Sequence, residues 1–206
     1  MFDIGGVLLD WNPRYLYRKL FDDEREMEWF LDHVCTMQWH SAHDLGVPFG
    51  RSSAALAAVH PEYAELISAW GARSEEMVAG ELAEVVALLA ELKDACVRCY
   101  ALTNMEAETF PLRRQRYDFF GWFDGIVVSA YEGIAKPDPE IFLRLLGRFG
   151  LSAQRTVLID DSAANVEAAR GVGMQAVQFS DAARLREWLV AAGLLANGLD
   201  EAVRPS

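Results

Sequence analysis

Three acidic side chains stand where they could share one cation: Asp3 at the start of the chain and the adjacent pair Asp160-Asp161. Carboxylates are hard oxygen ligands, the kind Mg²⁺ prefers while keeping several waters. A carboxylate can also attack phosphorus when its own charge and that of the substrate are offset, which a cation does well. Taken singly, each residue is ordinary. Asp3 could be a surface carboxylate, Asp160-Asp161 a helix-capping pair, Lys136 a solvated cation and Thr103 a β-residue. What joins them is position, because each belongs to a polar or glycine-containing stretch at the end of an apolar run: Asp3-Ile4-Gly5-Gly6-Val7-Leu8, Leu102-Thr103-Asn104, Lys136-Pro137-Asp138-Pro139 and Ile159-Asp160-Asp161-Ser162.

Those apolar runs must be the elements that position the chemistry. From about residue 96 onward, short runs at 96–102, 126–129, 156–159 and 176–179 alternate with amphipathic helical patterns. Such alternation is the pattern of an α/β fold with a doubly wound, Rossmann-like parallel sheet covered by helices on both faces. Asp138-Pro139 places a capping side chain before a proline at a first helical position, and Phe142, Leu145, Leu146 and Phe149 then form one apolar stripe. Ser162 and Asp181 are expected to start two further helices. In an open parallel sheet, ligands bind beyond the carboxyl ends of the strands at a switch in strand order, where these polar stretches would lie. Residues 12–80 differ, showing helical stripes (Met27, Phe30, Leu31, Val34; then Tyr63, Leu66, Ile67, Trp70) with no convincing strand. They predict an all-helical insertion.

The order and spacing of the four stretches resemble the four motifs of the haloacid dehalogenase superfamily, and the resemblance covers nearly the whole chain. Closest is the branch with a Gly-Gly-Val first loop and an Ile-Asp-Asp-Ser-x-x-Asn-Val-x-Ala-Ala fourth motif, here residues 159–169. The resemblance implies that Asp3 is a covalent nucleophile. It implies that Asp3 and Asp161 ligate Mg²⁺ directly, that Gly5 lends its backbone carbonyl, and that Asp160 supports the metal from behind. Thr103 would hydrogen-bond the transferring group, Lys136 would neutralise the developing charge, and Asn104 and Gly6 would help bind substrate. Residues 12–78 would form a helical cap inserted into a catalytic core of residues 1–11 and 79–206. Trp11, Trp39, His40, His43, Asp44 and Arg73 are candidates to face the site, and the aromatics and histidines among them would suit a small polar ligand.

Two departures qualify the implied activity, phosphatase action on a small phosphorylated metabolite of sugar-phosphate type. Phosphatases of this superfamily usually carry a second Asp two residues after the nucleophile, which protonates the leaving group. This chain has Gly5 there. A glycine cannot transfer a proton, so turnover of poor leaving groups is expected to suffer. The dehalogenases also lack that Asp, making metal-free carbon–halogen cleavage one alternative, although they have no need of a clustered acidic pair. A catalytically weak ligand-binding protein is another, against which stands the retention of Thr103, Lys136, Asp160 and Asp161. Only Met1 and Phe2 precede Asp3, whereas a strand runs about 5 residues, so the sequence is expected to lack its natural beginning.

Composition narrows the partners. A net charge of -12 argues against nucleic acid, which is bound through clustered Lys and Arg. No run approaches the roughly 20 apolar residues that span a bilayer, and no signal peptide opens the chain. A cytoplasmic location is the expectation. Three cysteines, Cys35, Cys96 and Cys99, suit a reducing compartment better than a disulfide framework.

Overall fold

A computed structural model describes residues 1–196. The remaining residues, 197–206, of the expected catalytic core lie outside the described part.

Four strands follow the expected runs: Tyr100–Thr103 (β3), Gly125–Val128 (β4), Val157–Asp160 (β5) and Gln175–Gln178 (β6). β3 pairs with β4 and β5 with β6, both in parallel. Residues 1–3 join the two halves, since Phe2 bridges Ala101 on one side and Ile159 on the other. Phe2 N–H donates to Tyr100 O (2.8 Å) and Leu102 N–H to Phe2 O, while Asp3 N–H donates to Ile159 O and Ile159 N–H to Met1 O (each 2.9 Å). The resulting parallel order is β4, β3, residues 1–3, β5, β6. From its centre the chain continues first to β3 on one side and later to β5 on the other, so Asp3 stands at the switch point.

Two strands were not legible. Leu9–Trp11 (β1) pairs antiparallel with Val78–Glu81 (β2), so a four-residue strand closes the stretch read as purely helical. The β3 run also begins later than its apolar composition suggests. Exposed Cys96 lies in the left-handed region (φ 57°) after a helix, and buried Cys99 just precedes the strand.

Between β1 and β2 lie helices Arg14–Tyr17 (α1), Glu24–His33 (α2), Met37–Asp44 (α3), Phe49–Val59 (α4) and Ala64–Ala72 (α5). Their buried faces form a cluster of their own around Leu16, Tyr17, Met27, Phe30, Ile67 and Trp70. Apolar stripes at helical spacing make this possible, because each helix hides one face against the others. After β2 come Ala83–Asp94 (α6), Phe110–Arg116 (α7), Ser129–Glu132 (α8), Pro139–Phe149 (α9), Ala163–Gly171 (α10) and Ala182–Ala191 (α11). α6 and α11 pack on one side of the sheet around Leu88, Leu89, Leu185 and Leu189. α9 and α10 pack on the other around Phe142, Leu145 and Ala169. Asp138 and Asp181 cap their helices as expected, accepting from Glu140 N–H and Arg184 N–H (2.9 Å each). Ser162 makes no side-chain cap; its N–H donates to Asp160 Oδ1 (3.0 Å). Among the described residues no helix is long and apolar enough to cross a membrane.

Candidate active site

Asp3, Thr103 and Asp160 end three neighbouring strands, which brings residues from distant parts of the chain to one sheet edge. Lys136 reaches the same edge from the loop between α8 and α9. Its Nζ lies 2.9 Å from Asp3 Oδ2 and 2.6 Å from Asp160 Oδ2, with no exposure of the Lys136 or Asp160 side chain. Burial pushes the Asp3 carboxyl up to about 7; the Lys136 ammonium opposes this and the Asp160 charge adds to it. Burial likewise disfavours charge on Lys136, but the two carboxylates outweigh it and hold the ammonium above its usual value. An ammonium between two buried carboxylates is satisfied only because both contacts are short and the one to Asp160 is hydrogen-bonded.

Each member is itself held. Asp3 Oδ1 accepts from Ile4 N–H (2.7 Å). Asp160 Oδ1 accepts from Ser162 N–H and from Asn165 Nδ2 (2.9 Å), so both of its oxygens have protein partners. Asp161 is exposed, and loss of solvent around its carboxyl, then the charge of Asp160, raise its pKa. One ligand atom from each of Asp3, Asp160 and Asp161 lies within 4.8 Å of the others. That donor set, all hard oxygen with one exposed member, fits a small divalent cation.

The Asn104 side chain, expected to contact substrate, engages the lysine loop. Its Nδ2 donates to Lys136 O and its Oδ1 accepts from Lys136 N–H (2.9 Å each). Its amide therefore clamps the lysine loop. Thr103 is fully buried, its hydroxyl 3.4 Å from Asn104 O. Gly6 donates its N–H to Leu9 O and contributes space: a Cβ there would lie 2.5 Å from Asp161 Oδ2, at φ +74°. We expect Gly6→Ala to cost about 1–2 kcal/mol from the left-handed backbone alone and to push Asp161 out of place. Calorimetry should show a Tm lowered by about 2–4 °C per kcal/mol; an unchanged Tm would mean the turn relaxes freely.

A cavity of about 520 Å³ opens between this edge and the helical insertion. Asp3, Gly5, Gly6, Asn104 and Asp161 line it, whereas Lys136, Asp160 and Thr103 stand behind its wall. Of the six candidates to face the site, Trp11, His40 and Asp44 line it too. Trp39 and His43 pack inside, edge to face at 4.6 Å, and Arg73 pairs with Glu76 (2.6 Å). Two lining residues, Glu106 and Arg113, were not legible as site residues. Both are buried, with Arg113 Nη1 3.6 Å from Glu106 Oε2 and His40 Nε2 3.5 Å from Glu106 Oε1. Their only sequence signal is the seven-residue spacing behind Thr103-Asn104, which a solvent-facing pair would share.

Known proteins resemble this chain in sequence and in fold. A family model described as haloacid dehalogenase-like hydrolase matches residues 1–173. A sesquiterpene phosphatase of Aspergillus oryzae is 30% identical over 192 residues, covering 88% of this chain and 89% of its own. Among solved structures, a HAD-like family hydrolase from Porphyromonas gingivalis superposes with a TM-score of 0.70 at 20% identity, covering 92% of this chain and 95% of that one. A HAD family enzyme from Bacteroides thetaiotaomicron, in complex with magnesium and inorganic phosphate, gives 0.65 at 20% identity, with 89% and 96% covered. At such identities the two structures speak for the fold alone. With a family model spanning most of its length and a full-length relative beside it, this chain belongs to the haloacid dehalogenase-like hydrolases.

Proposed function

We propose that this hydrolase is a Mg²⁺-dependent phosphatase of small phosphorylated metabolites, acting through an aspartyl-phosphate on Asp3. The observation that carries the reading is the buried Asp3–Lys136–Asp160 chain beside the exposed Asp161 carboxylate. Asp3, Asp161 and the Gly5 carbonyl would hold the cation, which supplies charge neutralisation for the phosphoryl oxygens. Asp160 supports them from behind, anchoring Lys136 and the turn into α10. Lys136 keeps the Asp3 carboxylate available and offsets charge as it attacks phosphorus. The Thr103 hydroxyl would turn from its long contact with Asn104 O to bind the transferring group, and the backbone at Asn104 would complete its cradle in the space that Gly6 leaves. Residues 12–78 would act as the cap that excludes water. The phosphatase name of the Aspergillus relative supports this reading.

A sugar phosphate is the substrate type expected from the first motif. The cavity walls favour a second, because Trp11, Leu31, Met37, Trp70 and Met105 line it and would suit the phosphate of an apolar alcohol, in keeping with the sesquiterpene phosphatase relative. The test is phosphate release from sugar phosphates, nucleotides, acyl phosphates and a prenyl phosphate, with and without Mg²⁺. Metal-dependent release from one class is the expected outcome. Chloride release from a chloroalkanoate without Mg²⁺, in the absence of phosphatase activity, would replace this reading with the dehalogenase one.

A further inference from the structure

Gly5 leaves the leaving-group proton without a donor on the nucleophile loop. We propose that Asp44, on α3 of the helical insertion, is the general acid and base of the reaction, a role that rests on the phosphatase reading above. Asp44 lines the same cavity as Asp3, Gly5 and Asp161. It is buried, and its Oδ1 has no hydrogen-bond partner.

The neighbours decide which group carries the proton. One ligand atom from each of Asp44, Glu106 and His40 lies within 4.8 Å of the others. Two buried carboxyl groups that close do not both ionise, so the pair holds a proton. Glu106 is the ionised member: Thr109 Oγ1 donates to it (2.5 Å) and Arg113 faces it. Arg113 also leaves little call for a metal cation in this cluster. His40 is occupied as well. Trp70 Nε1 donates to its Nδ1 (3.1 Å), so its one proton sits on Nε2, directed at Glu106. Asp44 alone is left with a proton and a free oxygen. Burial, then the charges of Glu106 and Asp3, push its carboxyl up to about 8 against the opposing pull of Lys136 and Arg113. The neutral ring of His43, on its own helix, adds no charge there, since burial and His40 lower its pKa to about 4.

The chemistry balances. As an Asp3 oxygen bonds to phosphorus, the bond from phosphorus to the ester oxygen breaks and that oxygen takes the Asp44 proton, leaving as an alcohol. Water then attacks the aspartyl-phosphate and gives a proton to Asp44 carboxylate; inorganic phosphate departs and Asp3 is restored.

The test compares kcat/KM of the full chain and Asp44→Asn, with Mg²⁺, on glycerol phosphate and on p-nitrophenyl phosphate. Because Asp44 is already neutral in the fold, asparagine keeps its shape and charge. A loss of about 10²–10⁴-fold on the alkyl ester, against less than about tenfold on the aryl ester, is expected, since only the poor leaving group needs the proton. Parent turnover of the alkyl ester should fall as pH rises through about 8, where Asp44 loses its proton, while aryl turnover should not. Gly5→Asp added to Asp44→Asn should restore alkyl turnover at least tenfold, there being no atom within 4 Å of a Cβ at Gly5. Equal losses on both esters, or no loss on either, overturn Asp44 as the acid. If Asp44→Asn does not fold, the parent pH profiles decide alone, and parallel alkyl and aryl profiles overturn it. If the parent is inactive on both esters, the same comparison is made on the phosphate ester it does hydrolyse; a parent that hydrolyses none of the classes above overturns the phosphatase reading, and this role with it.

Discussion

Asp3→Asn is expected to lower phosphate release by on the order of 10⁴-fold or more, the scale seen when a covalent nucleophile is removed. An amide oxygen at that position can neither attack phosphorus effectively nor bind a divalent cation with charge. The variant should fold, because the substituted amide can still accept from Ile4 N–H as the Asp3 carboxylate does, and Lys136 keeps Asp160. A thermal-shift titration separates lost chemistry from lost structure. In the parent, Mg²⁺ at about 100 times its Kd should stabilise by about 2.7 kcal/mol, or about 5–10 °C at this chain length; in Asp3→Asn the shift should shrink. The sign with pH follows from burial of Asp3. Its carboxyl is raised to about 7, and a cation binds the deprotonated form. The Mg²⁺-induced shift should therefore be small below that value and grow as pH rises through it. A shift that falls over this interval would remove Asp3 from the ligand set. Asp3→Asn with near-parental turnover would end the nucleophile assignment.

Lys136→Met should be the most destabilising single change at the site. It deletes the ammonium from between two carboxylates, leaving Asp160, with no side-chain exposure, and Asp3, nearly enclosed, without their counter-charge. Breaking a buried ion pair by removing one partner costs about 3–5 kcal/mol, because the other charge stays buried. Denaturant unfolding of the parent and variant would measure it, and turnover should be lost as well. The cost should be smaller in an Asp3→Asn background, where only one carboxylate is orphaned; coupling in such a cycle is typically about 0.5–3 kcal/mol. A variant as stable as the parent would show that solvent reaches Asp160 freely.

Much of this is legible in short stretches of sequence. The four polar stretches are marked by local order, each following an apolar run, and a parallel sheet must deliver such stretches to one edge. The capping of α9 by Asp138 and Pro139, and the stripe of Phe142, Leu145 and Leu146 beneath it, are likewise local and came out as read. The β1–β2 pair was not readable because Leu9 and Glu81 are brought into register only when the whole helical insertion has folded between them. Leu9–Trp11 and Val78–Glu81 also carry an Asp, a Gly and a Glu among their seven residues, so neither makes an apolar run like those of β3 to β6.

The sequence alone determined which residues could do chemistry and which strands would carry them, since side-chain type and apolar periodicity are properties of short segments. Tertiary structure decided how they are charged and used. Asn104 clamps the Lys136 loop because that loop folds back onto the end of β3. Glu106 and Arg113 are buried against each other, and Asp44 is left beside them, because the insertion seats α3 over the sheet edge. The protonation of a carboxyl depends on burial and on the nearest charges, and for Asp44 those charges come from positions 3, 106, 113 and 136, which only the folded chain brings together.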